Sequence, residues 1–435
     1  MDETKRSQGE LKKLTELFNS VYLIKDPYIL KTILAGVVSQ QLKSDPVWIV
    51  IIAPSGGAKS EFINAIGAVQ GVNPLSTLTS KTFVSGMKGR GQETSLLLKI
   101  QNGIITFKDL TSLLSEHKEE RSVIMAQLRE IYDGKYDKTF GTGENVSWQG
   151  KITILAGSTY AIHTLKQQYT AMGERFLFYN MIQPDRIEAG RRTMENQEEG
   201  KMAELRQMLA VATGRYINEL ITIPDELPRI TPEFRDEILS IAELATRARS
   251  AVERNWRSPQ QDITEVHPPE MPTRFAGQLQ VMARALMIIN WNETGKLELL
   301  PEDKIILYKL ALDSIDKSRR ITMQELSRYD SLTTAGLAVK LGLPTNTIRR
   351  WLEDLVALEI AERTKGSGSK GDNWMIKDKY REIITRYEGI AFDAHELVDN
   401  NNEAPENDGP AIPSQAEIDE VLKVDKEIDV KSLGL

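Results

Sequence analysis

Lys59 and Ser60 close the run Ala53-Pro54-Ser55-Gly56-Gly57-Ala58-Lys59-Ser60. Residues of these types at this spacing suit one chemistry, the holding of a phosphate chain. Gly56 and Gly57 let backbone N–H groups turn inward on an anion where a β-carbon would obstruct it. Lys59 supplies a point charge for the β and γ phosphates, and the Ser60 hydroxyl is placed to ligate Mg²⁺. Residues 47–52, all apolar or aromatic, feed the loop as a buried strand. From Glu61 the chain continues as a helix whose N-terminus faces the anion. The candidate nucleotide-binding residues are therefore Pro54, Ser55, Gly56, Gly57, Ala58, Lys59, Ser60 and Glu61. The loop departs from the usual pattern at Ala53 and Ala58, where Gly is expected.

Three further positions extend this chemistry. Residues 103–107 form an apolar strand that ends in Lys108-Asp109. In an ordinary ATPase such a strand ends in Asp-Glu, one carboxylate holding the Mg²⁺ shell and the other polarising the attacking water. Here Asp109 is a single carboxylate for the base and metal roles, with Glu116 one to two helical turns on as a substitute. A plain buried strand capped by a Lys-Asp pair would read the same way. A third strand, 152–156, runs into Gly157-Ser158-Thr159, where the Thr159 hydroxyl can sense a γ-phosphate; turn chemistry alone also places Ser and Thr there. Arg175, just before the apolar stretch at 176–178, can reach from a subunit edge into a neighbour's site. Its bland alternative is a pair with Glu174.

The elements that must position these groups follow from the apolar pattern. Residues 1–45 alternate at helical spacing. From 46 to 190 short apolar strands (47–52, 103–107, 151–156, 176–181) alternate with helices, the signature of an α/β fold with a parallel sheet. Residues 191–325 read as nearly all helix, broken by a Pro-rich loop at 266–272. Residues 331–380 form a small module, and 391–435 an acidic, Asn/Pro-rich tail expected to be disordered.

Composition removes several function classes. The 435 residues suffice for two or three domains. The absence of cysteine excludes disulfides and Cys-ligated zinc or iron–sulfur sites. The four histidines form no ligand-spaced cluster. No apolar run approaches the ~20 residues that span a bilayer. The charged N-terminus has no signal-peptide core, so a cytoplasmic protein without membrane contact is expected. The net charge of −7 hides a division: residues 391–435 carry −9, from 12 acidic and 3 basic side chains, leaving the rest near +2. That body is compatible with a polyanionic partner.

Taken in order, these pieces resemble AAA+ ATPases, specifically the minichromosome maintenance (MCM) type, over roughly residues 26 to 300. MCM phosphate loops carry Ala-Lys-Ser, as at Ala58-Lys59-Ser60. Their acidic strand begins with Gly, as at Gly103, and leads into a helix (here 123–132) and a hairpin (here 135–151). Their arginine finger opens a strand, as in Arg175-Phe176-Leu177. A later helix beginning Thr-x-Arg matches Thr273-Arg274-Phe275 loosely, making Arg274 the sensor-2 arginine and Arg284 a second candidate. The resemblance implies an α/β AAA+ P-loop ATPase with a helical region, binding ATP with Mg²⁺ and assembling with itself as a ring, a hexamer. Lys108 departs from the pattern, and the chain lacks the long N-terminal DNA-binding part of full MCM helicases.

DNA contact has its own signals. Residues 333–342 and 347–355 read as two helices joined by Leu343-Pro344-Thr345-Asn346, followed by two β-like runs, 360–365 and 373–376. This is the pattern of a winged helix-turn-helix. Ile348, Trp351, Leu352 and Leu355 face inward, leaving Asn346, Arg349 and Arg350 for the groove and Lys365 and Lys370 in the wing for phosphates. Such modules also dock proteins. In the ATPase body, Lys81, Lys88 and Arg90, and Lys135 and Lys138 near the hairpin, would track a nucleic-acid backbone if they match the pore inserts of MCM-like rings. The expected function is an ATP-dependent DNA helicase or translocase in replication of a phage or mobile element. The alternatives are a slow-turnover helicase loader or initiator and a winged-helix DNA-binding regulator. The tail is either a solubilising segment or a docking peptide for replication proteins.

Overall fold

A computed structural model describes residues 9–84, 95–141, 143, 145–163, 175–198, 200–255, 257–258, 261–366 and 371–386. The first half of the chain runs α1 (Glu10–Val21), α2 (Ile29–Ser39), β1 (Trp48–Ile52), α3 (Lys59–Ala65), β2 (Val72–Leu75), α4 (Leu96–Ile100), β3 (Gly103–Phe107), α5 (Lys118–Tyr132), β4 (Lys135–Thr139), β5 (Asn145–Gln149), β6 (Ile152–Ser158) and β7 (Phe176–Asn180). Then follow α6 (Arg186–Glu198), α7 (Met202–Arg215), α8 (Pro232–Ala248), β8 (Val252–Arg254), β9 (Ile263–Val266), α9 (Thr273–Thr294), α10 (Pro301–Asp313) and α11 (Lys317–Ser327). The last elements are β10 (Leu332–Thr333), α12 (Thr334–Leu341), α13 (Thr345–Ala357), β11 (Ala361–Thr364), β12 (Asn373–Ile376) and α14 (Asp378–Thr385).

The fold is α/β. Five parallel strands lie in the order β2-β3-β6-β1-β7. β1, β3, β6 and β7 are buried along their whole length, because helices cover both faces of the sheet. Alternate residues serve the two faces: Ile49, Ile51, Leu155 and Tyr179 pack toward α2, α3 and α9, while Trp48, Val50, Ile154 and Phe178 pack with α4 and α5. Each such side chain contributes about 1.5–3 kcal/mol of burial. β2 is the half-buried outer strand and tolerates Pro74 for that reason.

Buried charges tie α10 and α11 to β7. Lys309 donates to Asp313 at 2.8 Å with both side chains fully buried, and Arg320 donates to the other Asp313 oxygen. The Asn180 N–H donates to Asp313 Oδ2 at 2.8 Å. Asp26, at the start of α2, accepts from the Tyr179 hydroxyl at 2.7 Å and the Ile182 N–H at 2.8 Å. Burial raises the Asp26 pKa, and Lys309 opposes the rise. Deleting one member of such a set costs roughly 3–5 kcal/mol, since a charge stays buried unpaired. The carboxyl end of β7, beside the loop at residues 53–58, is thus held rigidly.

The helical expectation for 191–325 needs correction at 252–266, where β8 and β9 form an antiparallel hairpin with a register shift at Glu253/Arg254. Their outward residues are charged and exposed, so the stretch carries no strong apolar alternation. After α11, β10, β12 and β11 form an antiparallel sheet beside α12 and α13. Thr333 caps α12 by accepting the Gly336 N–H at 3.1 Å, and Gly342 ends it at φ +62°. The core of this region, including Ile348, Leu352 and Trp374, is continuous with that of the main body. Among the described residues, no helix is long and apolar enough to cross a membrane.

Candidate functional site

β1, between β6 and the edge strand β7, delivers the chain into the loop at residues 53–58, on the side where all five strands end. Ala53 is buried and donates its N–H to the Ser158 carbonyl at 3.2 Å, while Pro54, Ser55 and Gly56 are exposed. Gly56 takes φ +81°. A β-carbon on Gly57 would lie 2.6 Å from Gln183 Oε1, 3.1 Å from the Ala53 Cβ and 3.1 Å from the Pro54 carbonyl oxygen, so a larger residue would have to move the Gln183 side chain and crowd the loop backbone. Ala58 starts α3 at φ +58°, a left-handed conformation that costs a non-glycine residue about 1 kcal/mol. Lys59 is mostly buried, and its ammonium group donates to the Pro54 carbonyl at 3.4 Å. Ser60 follows in the first turn. Glu61 turns away: Arg206 of α7 forks onto its two oxygens at 3.0 and 2.9 Å, and that bond raises the Arg206 pKa.

β6 lies between β1 and β3, so its end separates the loop from Asp109. Asp109 is exposed, and its Oδ1 accepts the Thr111 N–H at 2.8 Å, starting a short helical turn. The Thr111 hydroxyl meets Ser158 Oγ at 3.0 Å and Thr159 Oγ1 at 3.2 Å, and accepts the Thr159 N–H at 3.1 Å. Thr111 therefore fixes the hydroxyls at the end of β6, a role that the sequence reading missed. Its signal was Asp-x-Thr, the spacing of an Asx turn. Asn180 was missed as well. It lies buried at the end of β7 beside Ile52, with Oδ1 lacking a hydrogen-bond partner among the described residues.

Arg175 lies at the other end of the strands. It precedes Phe176, the register partner of Trp48, whereas Lys59 follows Ile52. A strand's length, roughly 16 Å, thus separates them. Arg175 is paired with the half-exposed Asp133 at 3.2 Å and stacks over Tyr132, its guanidinium 5.5 Å from the ring centre. Burial lowers its pKa, and Arg274 pushes the same way against Asp133. Gln278 of α9 donates to the Arg175 carbonyl at 2.6 Å, which brings Arg274, one turn earlier on that helix and 3.7 Å from Glu270, to the same end of the sheet. Arg284 sits mid-helix on α9.

No protein-family model and no curated protein matches the chain.

The expected DNA contacts are dispersed. On the β4–β5 hairpin, Lys135 faces out and pairs with Asp137 at 3.1 Å, while Lys138 lies on the face of Tyr136, over the Phe140 ring at 4.9 Å. The two lysines thus point to opposite sides of the ribbon. Lys88, Arg90 and Lys370 lie outside the described residues, as does the segment 391–435. On α13, Asn346 is exposed, but Arg349 bonds Glu353 at 3.0 Å and Arg350 bonds Gln261 of the β8–β9 hairpin. Arg254, almost fully buried, clamps Asp354 at 2.6 Å and Glu353 at 3.1 Å. The outward arginine face expected from the sequence is therefore engaged within the molecule.

For Mg²⁺ the loop offers the Ser60 hydroxyl and Asp109, whose Oδ1 already caps the Thr111 turn. Lys108 stands where a second carboxylate is expected, and Glu61 is held by Arg206. These residues do not fit an ion held by a carboxylate pair. The three-ligand group found among the described residues is Glu253, Glu265 and His267, on the β8–β9 hairpin rather than at the loop.

Proposed function

We propose that the chain is an ATP-driven DNA translocase, a helicase of the MCM-like AAA+ type, working as a ring in replication of a phage or mobile element. One observation carries this reading. Lys59, Ser60, Asp109 and Thr159 gather at the carboxyl ends of the strands, while Arg175 and Arg274 lie together at the amino ends. One chain can offer a nucleotide the cradle or the arginines, but not both. Two copies head to tail would bring them to one triphosphate, and repetition of that contact closes a ring. Asp133 is an exposed partner that a phosphate can replace.

The AAA+ assignment is supported by the polar end of β6 standing between loop and acid, where a sensor would touch the γ-phosphate. The winged-helix assignment of residues 331–380 is supported by two helices beside three antiparallel strands. Lys135 on the outer hairpin face and Asn346 at the start of α13 are then the contacts to DNA. Lys108 and the capping role of Asp109 favour a second reading, a nucleotide-dependent loader that turns over slowly. Strand displacement on a forked duplex separates the two. The translocase reading expects unwinding coupled to ATP hydrolysis that single-stranded DNA stimulates, and an Asp109→Asn loss of about 100-fold with nucleotide binding kept. ATPase indifferent to single-stranded DNA would leave the loader.

A further inference from the structure

The misfit to a carboxylate-held magnesium ion has positive content. The end of β3, one strand removed from the loop across β6, carries the ammonium side chain of Lys108. Phe107 and Ala156 are register partners, so Lys108 comes next beside Gly157. The Lys108 carbonyl oxygen and Lys59 Cδ lie 2.6 Å and 3.6 Å from one point, the place a β-carbon on Gly157 would take. Gly157 is thus the gap across which the Lys108 backbone and the aliphatic stem of Lys59 approach. Lys108 is exposed on a flexible four-carbon stem, and the open part of the loop, Pro54 to Gly56, is exposed as well. Charge leads to the same conclusion. In the usual arrangement Mg²⁺ and two carboxylates sum to zero beside the loop lysine. Lys108 and Asp109 also sum to zero, with no ion, and an added divalent cation meets an ammonium group where it needs an acid.

The geometry points to a site that holds a nucleoside triphosphate between Lys59 and Lys108 and needs no divalent cation to bind it. This rests on the nucleotide reading above and specifies the form of the ligand, the free polyphosphate anion rather than its magnesium complex. Lys108 is then a binding residue that takes over the charge of the ion, while Lys59 keeps its ordinary place.

Titration of the full chain with a fluorescent, slowly hydrolysed ATP analogue, in Mg²⁺ and in EDTA, is the test. The wild type is expected to bind in EDTA within about fivefold of its affinity in Mg²⁺. Lys108→Ala should weaken binding in EDTA by more than about fivefold, and Lys108→Asp, which restores a carboxylate pair, should make binding depend on Mg²⁺ by more than that factor. Because Lys108 is exposed, both variants should melt like the wild type. A wild-type loss beyond fivefold in EDTA, or unchanged EDTA binding by Lys108→Ala, overturns the proposal and leaves the nucleotide site standing. No binding in either buffer, or binding indifferent to Lys59→Ala, overturns the nucleotide reading and the proposal with it.

Discussion

The loop at residues 53–58 is open at its tip, and Lys59 behind it makes one long hydrogen bond, whereas on α13 the charged groups are used up inside the molecule. Lys59 donates to one carbonyl at 3.4 Å, and Pro54, Ser55 and Gly56 are exposed. On α13, Glu353 and Asp354 close on Arg254, whose side chain is 4% exposed, and Arg350 is held by Gln261. Arg319 adds a contact to Asp354 at 3.4 Å. Charge in an open loop keeps its capacity for a ligand. Charge already paired at low dielectric has spent it on fold, and exposing it again leaves a partner unsatisfied. A charged helix face in a sequence therefore does not by itself tell which of its charges stay available to a ligand.

Crossed substitutions test this contrast most strongly. Lys59→Ala should weaken nucleotide binding by about 100-fold or more while costing less stability than loss of the Arg254 clamp, because its ammonium group makes one long hydrogen bond. Arg254→Ala should do the opposite. It leaves half-buried Glu353 and Asp354 with Arg349 and Arg319 alone as partners among the described residues, costs about 2–3 kcal/mol, and speeds amide exchange along α13 with nucleotide affinity unchanged. Equal loss of nucleotide in both variants would erase the distinction.

A smaller effect probes the loop's far wall. A methyl group at Gly157 would come within 2.6 Å of the Lys108 backbone oxygen, and backbone cannot yield cheaply. Gly157→Ala should cost about 1–3 kcal/mol and cut both ATP binding and ATP hydrolysis, because it displaces Lys108 and Asp109 together. Calorimetry and steady-state ATPase assays read the two parts separately. The smallest expected change is Ala58→Gly. It relieves φ +58° but loosens the unfolded chain, for a net gain of up to about 1 kcal/mol and nucleotide affinity within a factor of about three. A destabilised Ala58→Gly would mean that the left-handed turn is not strained.

The sheet was legible because its central strands are buried on both faces and so appear as unbroken apolar runs. Gly103–Phe107 was expected at those residues, and the phosphate-loop strand to within one. β2 escaped because a half-buried outer strand containing Pro74 has neither the run nor the alternation. The β8–β9 hairpin escaped because Glu253, Arg254 and Glu265 interrupt any pattern. The local chemistry of residues 54–60 could be read from neighbours in the chain. The bonds that decide which charges remain available could not: Arg206 reaches Glu61 across 145 residues and Arg254 reaches Asp354 across 100. No periodicity encodes such pairs. Arg175 shows both sides, since its position before a strand was legible while its partner Asp133 and its neighbour Arg274 came only with the fold.

The central claim is that one nucleotide site is shared by two copies of the chain, cradle from one and arginine from the next. Mixing Lys59→Ala protein with Arg175→Ala protein tests it most directly. Each alone should be inactive as an ATPase. In an equimolar mixture about one interface in four joins an intact Lys59 to an intact Arg175, so about a quarter of the wild-type rate should return. A mixture as inactive as its parts, or Arg175→Ala protein active on its own, would contradict the shared site.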